Sequence, residues 1–512
     1  MLLNTALLQK NKTSALFAVS SLLFYTSFAY DCLRSDYIKL LMLYVALFFL
    51  FYKLIPLFKT RIVFLTWLAF TFRAVFILAI PNLSQDFYRF IWDGRMILEG
   101  FNPYLFTVES FISQSEFPVT QAQELYNGMG ILNASHFTNY PPINQLCFVI
   151  AGLFAGKSIL GSVFVMRLLI IAADFGSFYF GKKLLEKLNI PVYNIFWYLL
   201  NPFIIIELTG NLHFEGVMIF FLIWSLYLLH SDKWKFAAVV LALSIATKLI
   251  PLLFLPLFFM WFMKNKKVST IPANHQDNLK KKDIEMLKHV KHDEKPKFVE
   301  NDMKQSVLKK ATASSFTFHH NGLKKLTRLI LFYSIVGLTT VLMFLPFYSE
   351  TFINNYTKTV SLWFQDFEFN ASLYYIAREV GYLFRGYNEI AIIGKIIPII
   401  VILFVLVLTF FRKNKSKVQL ITSMLLVLSF YYFTATTVHP WYIATLLMLS
   451  VFTNYKFPLV WSFAIILSYL AYINTDNTEN LWIIGLEYVI VYSTFIWEVF
   501  LTKQLRNKQI NS

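Results

Sequence analysis

The chain has 512 residues, of which 57% are hydrophobic, 18% aromatic and only 15% charged. A soluble domain is about 25% charged, so the composition excludes an ordinary soluble protein and indicates a chain embedded in a membrane. The formal net charge of +17 would suggest a nucleic-acid partner in a soluble protein. In a membrane protein Lys and Arg gather in cytoplasmic loops, which explains the charge and predicts no nucleic-acid partner.

Apolar segments suited to crossing a bilayer follow one another along the chain. Because about 20 apolar residues span the hydrocarbon core, we predict an all-α polytopic membrane protein with about 12–14 transmembrane helices. The predicted spans are 13–30, 37–57, 61–81, 159–181, 191–207, 215–230, 235–249, 250–263, 325–347, 390–411, 417–436, 440–454, 457–473 and 481–501.

Two long polar interruptions divide this pattern. Residues 82–158 form a large mixed loop, which we expect to carry short interfacial helices. Residues 264–323 are rich in Lys and hold little apolar material, which predicts a basic, disordered or loosely helical cytoplasmic loop. We therefore predict an N-terminal transmembrane catalytic module at 1–263 and a C-terminal transmembrane module at 324–512.

Charge in the short connections predicts the orientation. The basic connections, which the positive-inside rule places in the cytoplasm, contain Lys59 and Arg61, Lys182 to Lys187, Lys233 and Lys235, residues 412–417 and residues 503–508. The other connections then share the opposite side: D-C-L-R-S-D, 82–158, T-G-N-L-H-F-E-G, 348–389, T-V-H-P-W and N-T-D-N-T-E-N. Nearly every polar residue suited to chemistry falls on that non-cytoplasmic side.

The stretch S-Q-D-F-Y-R-F-I-W-D-G-R, residues 84–95, follows the third span. Helical spacing places Asp86, Arg89 and Asp93 on one face. A carboxylate beside a cation can accept a proton from an incoming hydroxyl, and the cation can stabilise a negative leaving group. The same spacing is typical of ion pairs on a helix surface, and aromatics such as Trp92 are typical of membrane interfaces. Periodicity alone leaves both interpretations open.

Ionisable residues at membrane depth are the next candidates, because burying them there is costly. Lys248 in A-T-K-L-I-P suits a lipid phosphate, with snorkelling to the headgroups as the alternative. Arg167 and Asp174 are seven residues apart and predict a buried structural pair, with Arg73 as a support for the outer loop. No metalloprotease, redox-cysteine or P-loop motif occurs. We predict no metal site and no cofactor, and a divalent metal is unsupported.

The stretch S-Q-D-F-Y-R-F-I-W-D-G-R-M-I-L-E-G-F-N-P-Y resembles the first outer loop of glycosyltransferases of superfamily C, which are polytopic enzymes that use polyprenyl-phosphate sugars. The likeness is to the bacterial mannosyltransferase-like branch and extends to the catalytic subunit of GPI mannosyltransferase I. It covers roughly residues 70 to 260 and is carried by Asp86, Asp93, 100–104, 140–142, Asp174 and 200–202.

The resemblance implies transfer of a hexose, best matched by mannose, from a polyprenyl-phosphate sugar to an extracytoplasmic hydroxyl on a lipid-linked or other glycan, with inversion. It implies a bacterial plasma membrane with the active site facing outward. Asp86 is then the expected catalytic base, although Asp93 remains open as the base. Arg89, Lys248 and His439 are candidates to meet the phosphate charge. The expected cavity residues are Trp92, Tyr104, Tyr140, Asn211, His213 and Glu215.

A polytopic transporter or lipid-linked-sugar flippase is the alternative function. Such a protein is expected to carry charged groups near the bilayer centre and two related halves. The chain shows no clear repeat and places its polar groups toward one surface, which favours the enzyme.

Overall fold

The computed structural model describes residues 12–263, 299–365, 367–412, 416–473 and 478–502. Within these ranges the chain forms helices and no β-strand, with one isolated parallel bridge between Phe369 and Thr437. The predicted all-α fold of a polytopic membrane protein is confirmed. The chain divides into two compact units, of which the larger comprises Met1–Leu257 with Phe332–Ser512 and the smaller Phe258–Leu331.

The α-helices are numbered here in chain order. They are α1 (Lys12–Asp31), α2 (Tyr37–Phe58), α3 (Ile62–Val75), α4 (Asp86–Leu98), α5 (Val108–Ile112), α6 (Ala122–Ala134), α7 (Pro142–Ala155), α8 (Ile159–Leu188), α9 (Phe196–Leu199), α10 (Pro202–Ile204), α11 (Glu215–His230), α12 (Trp234–Ile245), α13 (Phe258–Met263), α14 (Val299–Phe344), α15 (Glu350–Gln365), α16 (Leu373–Arg385), α17 (Ile390–Phe410), α18 (Lys417–Thr434), α19 (Ile443–Ser450), α20 (Phe457–Ala464) and α21 (Leu481–Ile496).

Shorter helical turns connect or extend several of these helices. The 3-10 turns are Val192–Ile195, Ile250–Leu257, Leu345–Phe347, Pro440–Tyr442 and Ile465–Ile473. The π turns are Ile205–Gly210 and Trp497–Leu501.

Six helices in the described part of the chain are long and apolar enough to span a membrane. A seventh span is possible if the pair Val192–Leu199 and Pro202–Gly210, bent by 52°, crosses as one unit, and eight further apolar helices are shorter. The side chain of Asn201 accepts a hydrogen bond from the Phe203 amide at 2.9 Å and so caps a new helix, with Pro202 at its first position. This cap explains why the single span predicted at 191–207 is bent.

The predicted basic loop 264–323 is only partly described. Residues 264–298 lie outside the described residues. From Val299 onward the backbone is helical and continues through α14 to Phe344, so the helix crosses the predicted boundary at 324.

A close approach between α4 and α7 holds the first outer loop in place. Gly94 lies against the backbone of Phe148, where a Cβ on Gly94 would come within 2.4 Å of the Phe148 carbonyl oxygen. Phe90 stacks on the Phe148 ring with centroids 4.6 Å apart. This packing fixes α4 along its length and so positions its first residue, Asp86.

The buried ion pair of the membrane core differs from the predicted one. Arg73 Nε donates to Asp174 Oδ2 at 2.7 Å, with both side chains fully buried. Arg167 instead donates to the backbone carbonyls of Thr209, Gly210 and Ile77. The predicted Arg167–Asp174 pair is therefore wrong, because spacing within one helix does not show which residue of a neighbouring helix lies opposite.

Candidate active site

A cavity of about 1030 Å³ lies in the larger unit. Each of the six connections predicted on the non-cytoplasmic side contributes to its wall, and the bend at Lys248 adds a seventh segment. Representative polar and charged lining residues are Arg34, Asp86, Tyr140, Glu215, Lys248, Glu368, His439 and Glu479. Among the described residues, none of the Lys and Arg side chains of the predicted cytoplasmic connections lines this cavity.

Asp86 is the first residue of α4, and its half-buried side chain lines the cavity. Asn133 Nδ2 donates to Asp86 Oδ1 at 3.2 Å. Asn133 follows a kink in α6 at Gly130, whose φ of +78° is readily adopted by glycine alone. Burial raises the pKa of Asp86, and the nearby charge of Lys248 and the hydrogen bond from Asn133 oppose this shift. A raised pKa brings a carboxylate nearer to the range in which a general base works best.

Lys248 lies on the same wall in an ion pair. Its Nζ is 3.0 Å from Glu215 Oε1, with 23% of the Lys248 side chain exposed and 4% of the Glu215 side chain. The ammonium also lies 5.5 Å from the centroid of the Tyr140 ring. The charge of Lys248 is therefore directed into the cavity and is already partly compensated by Glu215.

A column of stacked rings lines another part of the wall. Trp441 lies between His213 and His439, with ring centroids 3.8 and 4.6 Å apart, and Phe369 stacks on the far side of His439 at 5.2 Å. The bridge between Phe369 and Thr437 joins the two segments that carry these rings. Such a flat aromatic surface suits stacking against a sugar ring or a base.

Both histidines in the column are neutral at ordinary pH. Burial, together with the charge of Lys248, lowers the pKa of His439 to about 3 and holds the pKa of His213 well below its usual value. His439 was predicted to meet a phosphate charge. It lines the cavity, but a neutral imidazole supplies a hydrogen bond and no positive charge, so that part of the prediction is corrected.

Arg89 and Asp93 lie behind the cavity wall. Arg89 Nε donates to Asp93 Oδ1 at 2.8 Å, with both side chains buried. Arg89 also donates to the carbonyls of Asn133 and His136, and Gln145 Nε2 donates to Asp93 Oδ2 at 3.1 Å. The predicted substrate contacts of Arg89 and Asp93 are therefore not found, since the pair is spent on holding the Asn133 segment against α4.

Four further predicted cavity residues are buried and do not line the cavity: Trp92, Tyr104, Asn211 and His213. The Tyr104 hydroxyl donates to the Tyr140 carbonyl at 2.6 Å, and Asn211 Oδ1 accepts from the Leu83 amide at 3.1 Å. Trp92 faces Phe111. These residues shape the segments that carry lining residues and do not themselves face the cavity.

Several lining residues were not predicted as site residues. Arg378 on α16 lies 2.5 Å from Glu368, and Glu479 accepts hydrogen bonds from the Asn370 amide at 2.7 Å and from the Tyr375 hydroxyl. Arg34 and Glu479 both stand in connections that the charge pattern placed on the outer side, which was the one available signal. Among the described residues, no group of three His, Cys, Asp or Glu side chains is arranged to hold a metal ion.

Comparison with known proteins gives one match. The model of the MptA_B family, described as alpha-(1->6)-mannopyranosyltransferase, N-terminal domain, matches residues 4–264, which is just over half of the 512 residues. The matched range includes Arg34, Asp86, Tyr140, Glu215 and Lys248. Neither the comparison with curated proteins nor that with solved structures gave a match.

Proposed function

The chain belongs to the MptA_B family of alpha-(1->6)-mannopyranosyltransferases, and from this premise we propose that it transfers mannose from a polyprenyl-phosphate donor to a glycan hydroxyl. It is an integral membrane protein of a mannosyltransferase family. The proposal adds the donor class, a lipid-linked or other glycan acceptor, inversion, and an active site facing outward from a bacterial plasma membrane. The likeness to superfamily C and to GPI mannosyltransferase I agrees with this function.

In the proposed step the acceptor oxygen attacks the anomeric carbon of the donor. A new carbon–oxygen bond forms while the bond from that carbon to the phosphate oxygen breaks. The acceptor proton passes to Asp86, and the electron pair of the broken bond leaves with polyprenyl phosphate. Because one displacement takes place at the face opposite the leaving group, the anomeric configuration inverts.

One observation carries the choice of Asp86 as the base. Glu215 and Glu368 are each held by a cation, and Glu479 accepts hydrogen bonds from Asn370 and Tyr375. In the described part of the chain, Asp86 has no ion-pair partner and accepts a single side-chain hydrogen bond, from Asn133. It is therefore the lining carboxylate with free lone pairs directed at a substrate.

The cavity wall also supports a donor carried by lipid. Gly394 and Ile397 line the cavity and belong to α17, which is a candidate membrane span. A sugar attached to an isoprenoid chain can therefore meet the cavity beside the bilayer. Family membership favours this enzyme over the transporter or flippase.

The test is an assay of the purified protein with polyprenyl-phosphate mannose and with the glucose and galactose analogues. We expect mannose transfer with inversion, followed by NMR of the new anomeric proton. Asp86→Asn should lower kcat by at least about 10²-fold, the usual contribution of a general base. Glu99→Gln is the matched control, because Glu99 is an exposed carboxyl at the other end of α4. Failure of the wild type to use any donor, or full activity of Asp86→Asn, would contradict the proposal.

A further inference from the structure

Three Lys and Arg side chains line the cavity in the described part of the chain, and two of them are paired. Lys248 lies 3.0 Å from Glu215, and Arg378 lies 2.5 Å from Glu368. Arg34 makes no ion pair with any described residue. Its guanidinium carbon lies 4.5 Å above the centroid of the Tyr472 ring. Arg34 therefore carries the one lining Lys or Arg charge, among the described residues, that no carboxylate neutralises.

The proposed reaction needs such a charge at the leaving group. The donor phosphate is a diester with one negative charge, and it gains a second when its bond to the anomeric carbon breaks. A cation near that phosphate stabilises the developing charge. A paired Lys or Arg would first have to leave its carboxylate, which leaves a partly buried charge uncompensated.

The chemistry of arginine matches this role. Its guanidinium stays protonated and presents a planar fork of donors that binds two phosphate oxygens at once. The ring of Tyr472 lies against one face of the guanidinium, a cation–π contact that restrains the side chain. The edge of the guanidinium, with its N–H donors, stays available for a ligand.

Arg34 and Asp86 act on the same space although they come from different connections. Arg34 lies between α1 and α2, and Asp86 begins α4, and both line the cavity. The charge of Arg34 favours the ionised form of Asp86 and is one of the effects that lower the pKa of that carboxyl against burial. A base and an unpaired cation are the two groups that the displacement requires at its two ends.

We propose that Arg34 binds the phosphate of the polyprenyl-phosphate donor and stabilises its departure, an inference that rests on the proposed function. The first two helices of the chain then serve the reaction by carrying this residue to the cavity.

The test measures binding of polyprenyl phosphate and of uncharged polyprenol to the full-length protein, in the Asp86→Asn background so that no turnover interferes. Arg34→Gln should weaken polyprenyl phosphate binding by at least about tenfold, as expected for hydrogen bonds to a charged group, and leave polyprenol binding unchanged. Lys39→Gln is the matched control, because Lys39 follows Arg34 closely but pairs with Asp31 outside the cavity. In the active protein, Arg34→Gln should raise the donor KM and leave the acceptor KM unchanged.

The outcomes separate this inference from the proposed function. Equal binding of polyprenyl phosphate by wild type and Arg34→Gln overturns the role of Arg34, while mannose transfer by the wild type leaves the function standing. Equal losses for polyprenyl phosphate and polyprenol also overturn it, since the effect would then not depend on phosphate. Arginine-dependent phosphate binding without sugar transfer would refute the function alone. If Arg34→Gln does not fold, Arg34→Met gives the same comparison while keeping a long chain over Tyr472.

Discussion

The ammonium of Lys248 lies 3.0 Å from the carboxylate of Glu215, and both side chains line the cavity that Asp86 lines. Burial raises the pKa of Asp86, the charge of Lys248 lowers that pKa, and the charge of Glu215 raises it. The two members of one ion pair therefore act on the proposed base in opposite directions.

Opposite shifts of the pH profile are the first prediction. A general base works in its ionised form, so kcat/KM should rise with pH through the pKa of Asp86 and then level off. Lys248→Met removes a charge that lowers this pKa and should move the acidic limb to higher pH. Glu215→Gln removes a charge that raises it and should move the limb to lower pH. Profiles of kcat/KM against pH for both variants check this, and shifts in the same direction would refute the assignment of Asp86.

The hydrogen bond from Asn133 gives the second prediction. This bond orients Asp86 and favours its ionised form. Asn133→Ala should lower kcat by about tenfold, the value of one hydrogen bond to a charged group, and move the acidic limb to higher pH. Gln123→Ala, an exposed change on the same helix, should leave both unchanged. Loss of rate without a shift of the limb would mean that Asn133 acts on something other than Asp86.

The sequence predicted the large-scale arrangement because that arrangement follows from hydropathy and charge. Long apolar runs can satisfy their backbone groups in a bilayer only as helices, so the all-α class was readable directly. Grouping the polar connections on one side found the segments that carry Asp86, Glu215, Lys248 and His439. These segments do meet at one cavity. Which side of a membrane that cavity faces stays a prediction.

The individual contacts were less predictable, because each depends on a partner far away in the chain. The spacing of Arg89 and Asp93 correctly suggested an ion pair, but it did not show that the pair faces Gln145 and the Asn133 carbonyl. Arg73 pairs with Asp174 on a different helix, 101 residues later. Periodicity gives the face of a helix on which a residue lies and gives no information about what packs there.

The buried Arg89–Asp93 pair yields the third prediction, which decides between the two candidate bases. Asp93→Asn leaves the Arg89 charge without its buried partner, a change that typically costs about 3–5 kcal/mol of stability. Because Asp93 is not directed at the cavity, the folded fraction should keep the acidic limb of the wild type. Thermal unfolding in detergent and the pH profile of kcat/KM measure the two effects. If Asp93→Asn folds normally but loses the acidic limb, Asp93 is the base.

The ion pair between Arg73 and Asp174 gives the fourth prediction. Both side chains are fully buried, and Arg73 also donates to the carbonyl of Leu199 at 2.6 Å. Asp174→Ala leaves a buried guanidinium without its counter-charge and should destabilise the protein by about 3–5 kcal/mol. The double variant Arg73→Leu with Asp174→Leu removes both charges and should recover much of this loss, since well-packed apolar residues often replace a buried pair without penalty. Thermal unfolding of the three proteins checks the order, and a double variant less stable than Asp174→Ala would show that Arg73 stabilises the core mainly through its carbonyl contacts.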